Sequence, residues 1–171
     1  QLDPRNIAVA AEALARRLAE PDPANAARSA SPQQDFAARW DAARQRWEQQ
    51  AAPLKGIGVI THHKDMVYLL DWLGMRELGN LEPKPGLEPS SFHLAQLLQQ
   101  LQQQPARLVL RTPYQSERAS EWLAGKGGIP ALMLPNTVGG SDAATVLFTI
   151  YDHNLQLLLV ALKLRHPPCS I

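Results

Sequence analysis

Cys169 is the only cysteine among 171 residues. An internal disulfide is therefore excluded, and so is a thiolate-rich zinc cluster. A charge excess is also missing. The 17 basic and 16 acidic residues leave a net charge of +1, which argues against nucleic acid or an anionic membrane surface as the main partner. No run of about twenty apolar residues occurs, as a membrane-spanning helix would need. The start carries no basic-then-apolar leader pattern, and it is Gln1 instead of Met, so the expectation is that the natural beginning lies upstream. A phosphate-cradling glycine loop is lacking too. The stretch GKGGIP, residues 125–130, has no strand before it and no serine or threonine after its lysine, and reads as a helix stop. No Ser-His-Asp or Cys-His set has support in the spacing.

What remains is a chain with 45% hydrophobic residues, enough for one packed domain or one lobe of a larger protein. Asp3 followed by Pro4 is a helix start, with Ile7, Ala10, Ala11, Leu14 and Leu18 on one face. Asp22-Pro23 repeats the device. Ser31 and Gln34 form a capping-box pattern ahead of Phe36, Trp40, Ala43 and Trp47 at helical spacing, which predicts a long, partly exposed helix ending near Pro53. From residue 57 the grammar changes. IGVIT, RELGNL, ARLVLR and PALML read as strands. Between them lie helical patterns: one closed by Gly74, one carrying Leu94, Leu97, Leu98 and Leu101, and one ending at glycine. The last helix is expected to follow Gly139-Gly140, with Ser141 or Asp142 as its cap. Strand and helix alternate four times, which predicts an α/β fold: a four-stranded parallel sheet with helices on both faces, preceded by a long linking helix.

In such sheets ligands sit beyond the carboxyl ends of the strands. The first strand delivers His62 and His63 to that rim, the second Glu82, the third Arg111, Thr112 and Tyr114, and the fourth Asn136 and Thr137. Neutral imidazole is the commonest metal ligand near neutral pH. The plainer reading is that both histidines decorate a helix start. Adjacent residues in extended chain point to opposite sides, so at most one of the pair is expected to face the site. Asp142 reads most simply as a helix cap. Asp152 and His153 are consecutive on a helix, so they face different ways and read as solvated. His93 is expected to be exposed in the first turn of its helix. The four tryptophans, Trp40, Trp47, Trp72 and Trp122, read as core or interface.

Taken together, PLKGIGVITHHKDMVYLLDWLGM, LEPKPGLEPSSFHLAQL, LVLRTPYQ and LMLPNTVGG resemble the carboxyl-terminal half of the zinc and manganese solute-binding proteins of bacterial ABC transporters. LDPRNIAVAAEALARRLAEPDPANAA resembles the segment before the helix that links their two lobes. The likeness runs from residue 2 to about residue 160, and five motifs share the family's order. It implies one lobe of a two-lobed periplasmic receptor that captures a divalent metal between its lobes and hands it to a membrane permease. Such receptors use three histidines with a carboxylate or water. One of these histidines lies in a YH-x-S-W-x-Y-like motif, whose matching position here is His63, with Tyr68 in register. His62 replaces the usual aromatic, and Asp65 and Met66 depart from Ser-Trp. A second family histidine would fall just upstream of Gln1, and a third belongs to the amino-terminal lobe. The carboxylate of some members would fall near Pro135 or Asn136, where there is none, leaving Asp142 as a nearby substitute.

The resulting expectations are a helical segment over 1–53, a carboxyl-terminal α/β lobe over 54–164 and a tail over 165–171. His63 is the metal ligand, with His62 and Asp142 as lesser candidates. Zinc is favoured over manganese, since a site rich in nitrogen and poor in carboxylate suits zinc. The resemblance further implies a periplasmic receptor that is no enzyme, with the permease and an amino-terminal lobe as partners. The chain alone is expected to bind zinc weakly and to self-associate through its bared face. Two alternatives stand beside this: a metal-dependent hydrolase with Glu82 as general base, and a non-catalytic interaction module using the amphipathic helix over 33–51.

Overall fold

The structure is a computed structural model describing residues 2–21, 26–84 and 86–163. The Asp22-Pro23 helix restart, His166 and the 165–171 tail lie outside the described residues. Four strands, β1 (Gly58–Thr61), β2 (Arg76–Asn80), β3 (Leu108–Arg111) and β4 (Ala131–Met133), pair in parallel in the order β2-β1-β3-β4. The helices are α1 (Pro4–Ala19), α2 (Ala26–Ala51), α3 (Val67–Leu73), α4 (Ser91–Gln103), α5 (Glu117–Gly127) and α6 (Leu147–Lys163).

Strand alternation divides the core. Val59, Leu108 and Leu110 point to one face and pack with Leu69, Leu73, Tyr151 and Leu158 of α3 and α6. Ile60 and Val109 point to the other and pack with Leu97, Leu123 and Ala124 of α4 and α5. The two inner strands are buried on both faces, so they read as continuous apolar runs. Each such side chain contributes roughly 1.5–3 kcal/mol by leaving water. The chain leaves β1 toward β2 and then returns past β1 to β3. The strand order therefore reverses at the carboxyl end of β1, which is where open α/β sheets form their binding crevice.

The helix signals hold in part. Asp3 caps α1, accepting from Arg5 N at 2.9 Å. Gly74 closes α3 in the left-handed region, φ 64°, a conformation that costs glycine nothing. The α1 face is narrower than expected: the half-buried stripe runs through Ile7, Ala11, Ala15 and Ala19 at a spacing of four, while Ala10 is exposed and Leu14 and Leu18 are 59% and 61% exposed. Ser31 is not a cap. α2 already begins at Ala26 and passes through Pro32. That proline forfeits one backbone bond, while the rest of the helix is held by packing. α6 likewise starts at Leu147, not after Gly140. Residues 139–144 form turns instead, with Gly139 N donating to Ala144 O at 2.8 Å and Ala144 N to Ser141 O at 3.0 Å.

α2 is fixed to α6 by an aromatic seam. Trp47 stacks on Tyr151 with centroids 4.8 Å apart, and Trp40 meets Phe148 edge-on at 4.9 Å. Trp47 Nε1 donates to Asp152 Oδ1 at 2.7 Å, and Arg46 pairs with the same carboxylate at 2.9 Å. Asp152 is therefore a seam residue, a role that consecutive numbering with His153 concealed. Among the described residues no helix is long and apolar enough to cross a membrane.

Candidate metal centre

Sheet hydrogen bonds continue past the strand ends and build the rim. His62 N donates to Leu110 O at 2.8 Å, and Glu82 N donates to His62 O at 2.9 Å. The backbone after β1 is thus clamped between the residues following β2 and those of β3. Below it, Asn80 Nδ2 donates to Thr61 Oγ1 at 2.6 Å and to Glu77 Oε1 at 2.8 Å. His93, expected to be exposed, is half-buried, and its Nε2 lies 2.8 Å from Asn80 O. It fastens the first turn of α4 to the end of β2 instead of facing solvent.

Above the clamp opens a cleft of about 680 Å³, bounded by His62, His63 and Glu82 on the sheet side and by Leu94, Tyr114 and Trp122 on the flanks. His63 is partly open to it, its side chain 32% exposed, whereas His62 is 3% exposed. Both rings approach one carboxylate: His62 Nε2 lies 3.4 Å from Glu82 Oε1, and His63 Nδ1 lies 3.5 Å from Glu82 Oε2. The expectation that only one imidazole faces the site is therefore corrected. The alternation rule holds within a strand, but the strand ends at Thr61 and residues 62–63 form a bend, so both side chains reach the same side.

Other rim residues sort differently. Tyr114 Oη and Gln115 Nε2 donate to Asp65 Oδ2 at 2.9 and 2.8 Å, a strut between the loops after β1 and β3. Arg111 pairs with Glu117 at 3.0 Å and so does not serve the cleft. Tyr68 is 59% exposed at the start of α3. Asp142, Asn136 and Thr137 are not among the residues lining the cleft, and Asp142 is exposed in the loop before α6. Trp122, expected in a core or interface, is 40% exposed and forms part of the cleft wall. Among the described residues no three His, Cys, Asp or Glu side chains converge so as to hold a metal ion. Sequence reasoning placed Glu82 at the rim but missed that it joins both rings. The signal was the equal offset of the two residues beyond paired strands.

The profile of a family described as ZnuA, "Zinc-uptake complex component A periplasmic", matches residues 1–161. The chain belongs to this family. Among solved structures it is similar to one described as the crystal structure of ZnuA, at 24% identity and TM-score 0.72 over 95% of this chain and 58% of that one. FpvC of Pseudomonas aeruginosa, in complex with Mn2+, is 22% identical with TM-score 0.77 over 95% and 62%. A Cd-bound periplasmic metal binding protein of Candidatus Liberibacter asiaticus is 14% identical with TM-score 0.75 over 94% and 62%. These likenesses speak for the fold of one lobe. This member of the ZnuA family spans about three-fifths of the length of those relatives. No curated protein matches at a significant level.

Proposed function

We propose that the chain is the linking-helix segment (1–53) and carboxyl-terminal lobe (54–164) of a periplasmic receptor. The receptor captures a divalent metal, zinc by preference, and delivers it to an ABC permease without chemical change. The observation that carries this reading is His63. Its ring lies partly open in the crevice at the reversal of strand order, with a carboxylate behind it. A rim that offers an imidazole, with no carboxylate at Pro135 or Asn136 where some family members carry one, suits zinc better than manganese. The named relatives bound to manganese and cadmium support a divalent cation as cargo. Since no three ligands converge among the described residues, the remaining ones come, in this reading, from polypeptide that closes over the cleft. Tyr114 and Trp122 are exposed in its wall and form the surface through which the chain alone would self-associate.

The hydrolase reading asks for a carboxylate free to activate water, and Glu82 instead lies against two rings. The test is His63→Ala in the complete receptor, read by competition with a zinc chelator. Removing one of a few preorganised ligands should weaken zinc at least 100-fold, by the scale on which outer partners alone cost 10–100-fold. Unchanged affinity would remove His63 from the site.

A further inference from the structure

Five buried side-chain atoms among the described residues lack a hydrogen-bond partner: His62 Nδ1, Trp72 Nε1, Thr112 Oγ1, Ser141 Oγ and Asn154 Oδ1. Of these residues only His62 lines the cleft, and its orphaned nitrogen restricts where its proton can sit. A buried N–H without an acceptor forfeits the hydrogen bond it made to water. A proton on Nδ1 would be such a group. On Nε2 it faces Glu82 Oε1 instead, 3.4 Å away.

The other carboxylate oxygen is placed in the same way toward His63, 3.5 Å from Nδ1. No arginine or lysine pairs with Glu82 among the described residues, so nothing draws the carboxylate from the two rings. It is only 21% exposed, and its backbone N–H is bonded to His62 O. The nitrogen of His63 left without a partner among the described residues is Nε2.

We infer that Glu82 is the positioning residue of the metal site: by receiving the Nδ1–H of His63 and the Nε2–H of His62, it turns the Nε2 lone pair of His63 toward the cation. A ligating imidazole whose second nitrogen donates to a carboxylate has its tautomer and ring orientation fixed and its basicity raised. Bound metal in turn makes the Nδ1–H a stronger donor, so the contact should tighten on loading. With both oxygens turned to rings, Glu82 acts through His63 and not as a ligand itself. His62 then has a role of its own: it is a second donor that keeps the carboxylate from rotating away from His63.

The inference rests on His63 being a ligand, and the experiment separates the two claims. Long-range proton–nitrogen NMR of the metal-free, ¹⁵N-labelled chain at mildly alkaline pH reads the tautomer of each ring. The expected result is a His63 proton on Nδ1 in the native chain and its loss from that site in Glu82→Gln. A native His63 protonated on Nε2, or a tautomer unchanged in the variant, overturns the inference. Should Glu82→Gln fail to fold, Glu82→Asp asks the same question, because the shorter arm withdraws the carboxylate from both rings. In the complete receptor, Glu82→Gln should weaken zinc about 10–100-fold. If His63→Ala loses zinc while Glu82→Gln retains full affinity, positioning fails and the ligand reading stands. If neither variant changes affinity, the ligand reading fails.

Discussion

The seam between α2 and α6 and the rim beyond β1 use similar side chains to opposite ends. In the seam Trp40, Trp47 and Tyr151 are almost wholly buried, and the polar tips of both tryptophans are satisfied: Trp40 Nε1 donates to Pro4 O at 2.8 Å and Trp47 Nε1 to Asp152. At the rim the rings of His62 and His63 share a single carboxylate, and one buried nitrogen has no partner. Close-packed aromatics with matched donors stabilise a fold. In the proposed reading His63, partly open to the cleft, adds little stability until a cation arrives. The contrast places stability in one region and, in the proposed reading, binding in the other.

Variants that cross the two properties test that division. The largest effect is expected from Trp47→Ala, which empties the seam and leaves Asp152 with Arg46 alone. It should cost about 3–5 kcal/mol, read as a lower urea midpoint, while the His63 ring signals in the folded fraction stay unchanged. Asp3→Ala comes next, at about 1 kcal/mol for the lost cap. Burial alone would raise the Asp3 carboxyl, but its bonds to Arg5 and the Arg5 charge outweigh that and hold it below its ordinary 3.8. The stability it lends is therefore complete above the unfolded-state value and disappears as pH falls through the depressed folded value. The gap between native and Asp3→Ala melting curves should close in acid. A gap that persists there would assign the effect to helix packing instead. The smallest stability effect is expected from His63→Ala, within about 0.5 kcal/mol for a partly exposed position. A loss the size of the seam variant's would make His63 a core residue and erase the contrast.

The two regions also differ in how far they could be read from sequence. Helical spacing announced Trp40 and Trp47 as a buried stripe, and alternation of short apolar runs with helices announced a parallel sheet with its rim at His62, His63 and Glu82. Such patterns are periodic, so they survive without coordinates. What stayed hidden depends on where periodicity stops. His62 faces Glu82 because the strand ends one residue earlier. Ser31 fails as a cap because α2 continues through Pro32. α6 starts at Leu147 because the glycines and Ser141 before it close turns on themselves. Asp152 looked solvated because its partner, Trp47, is 105 residues away in sequence. Loop ends and long-range partners are set by the packed molecule, and local spacing carries no record of them.

Zinc titration of the ¹⁵N-labelled chain, followed through the ring nitrogens of its histidines, tests the central claim most directly. If this rim supplies one imidazole to a shared site, His63 Nε2 should move first and alone, in fast exchange, with weak affinity because one ligand cannot hold the cation tightly. A tight, stoichiometric site, or movement of His93 or His153 with His63 still, would contradict the account.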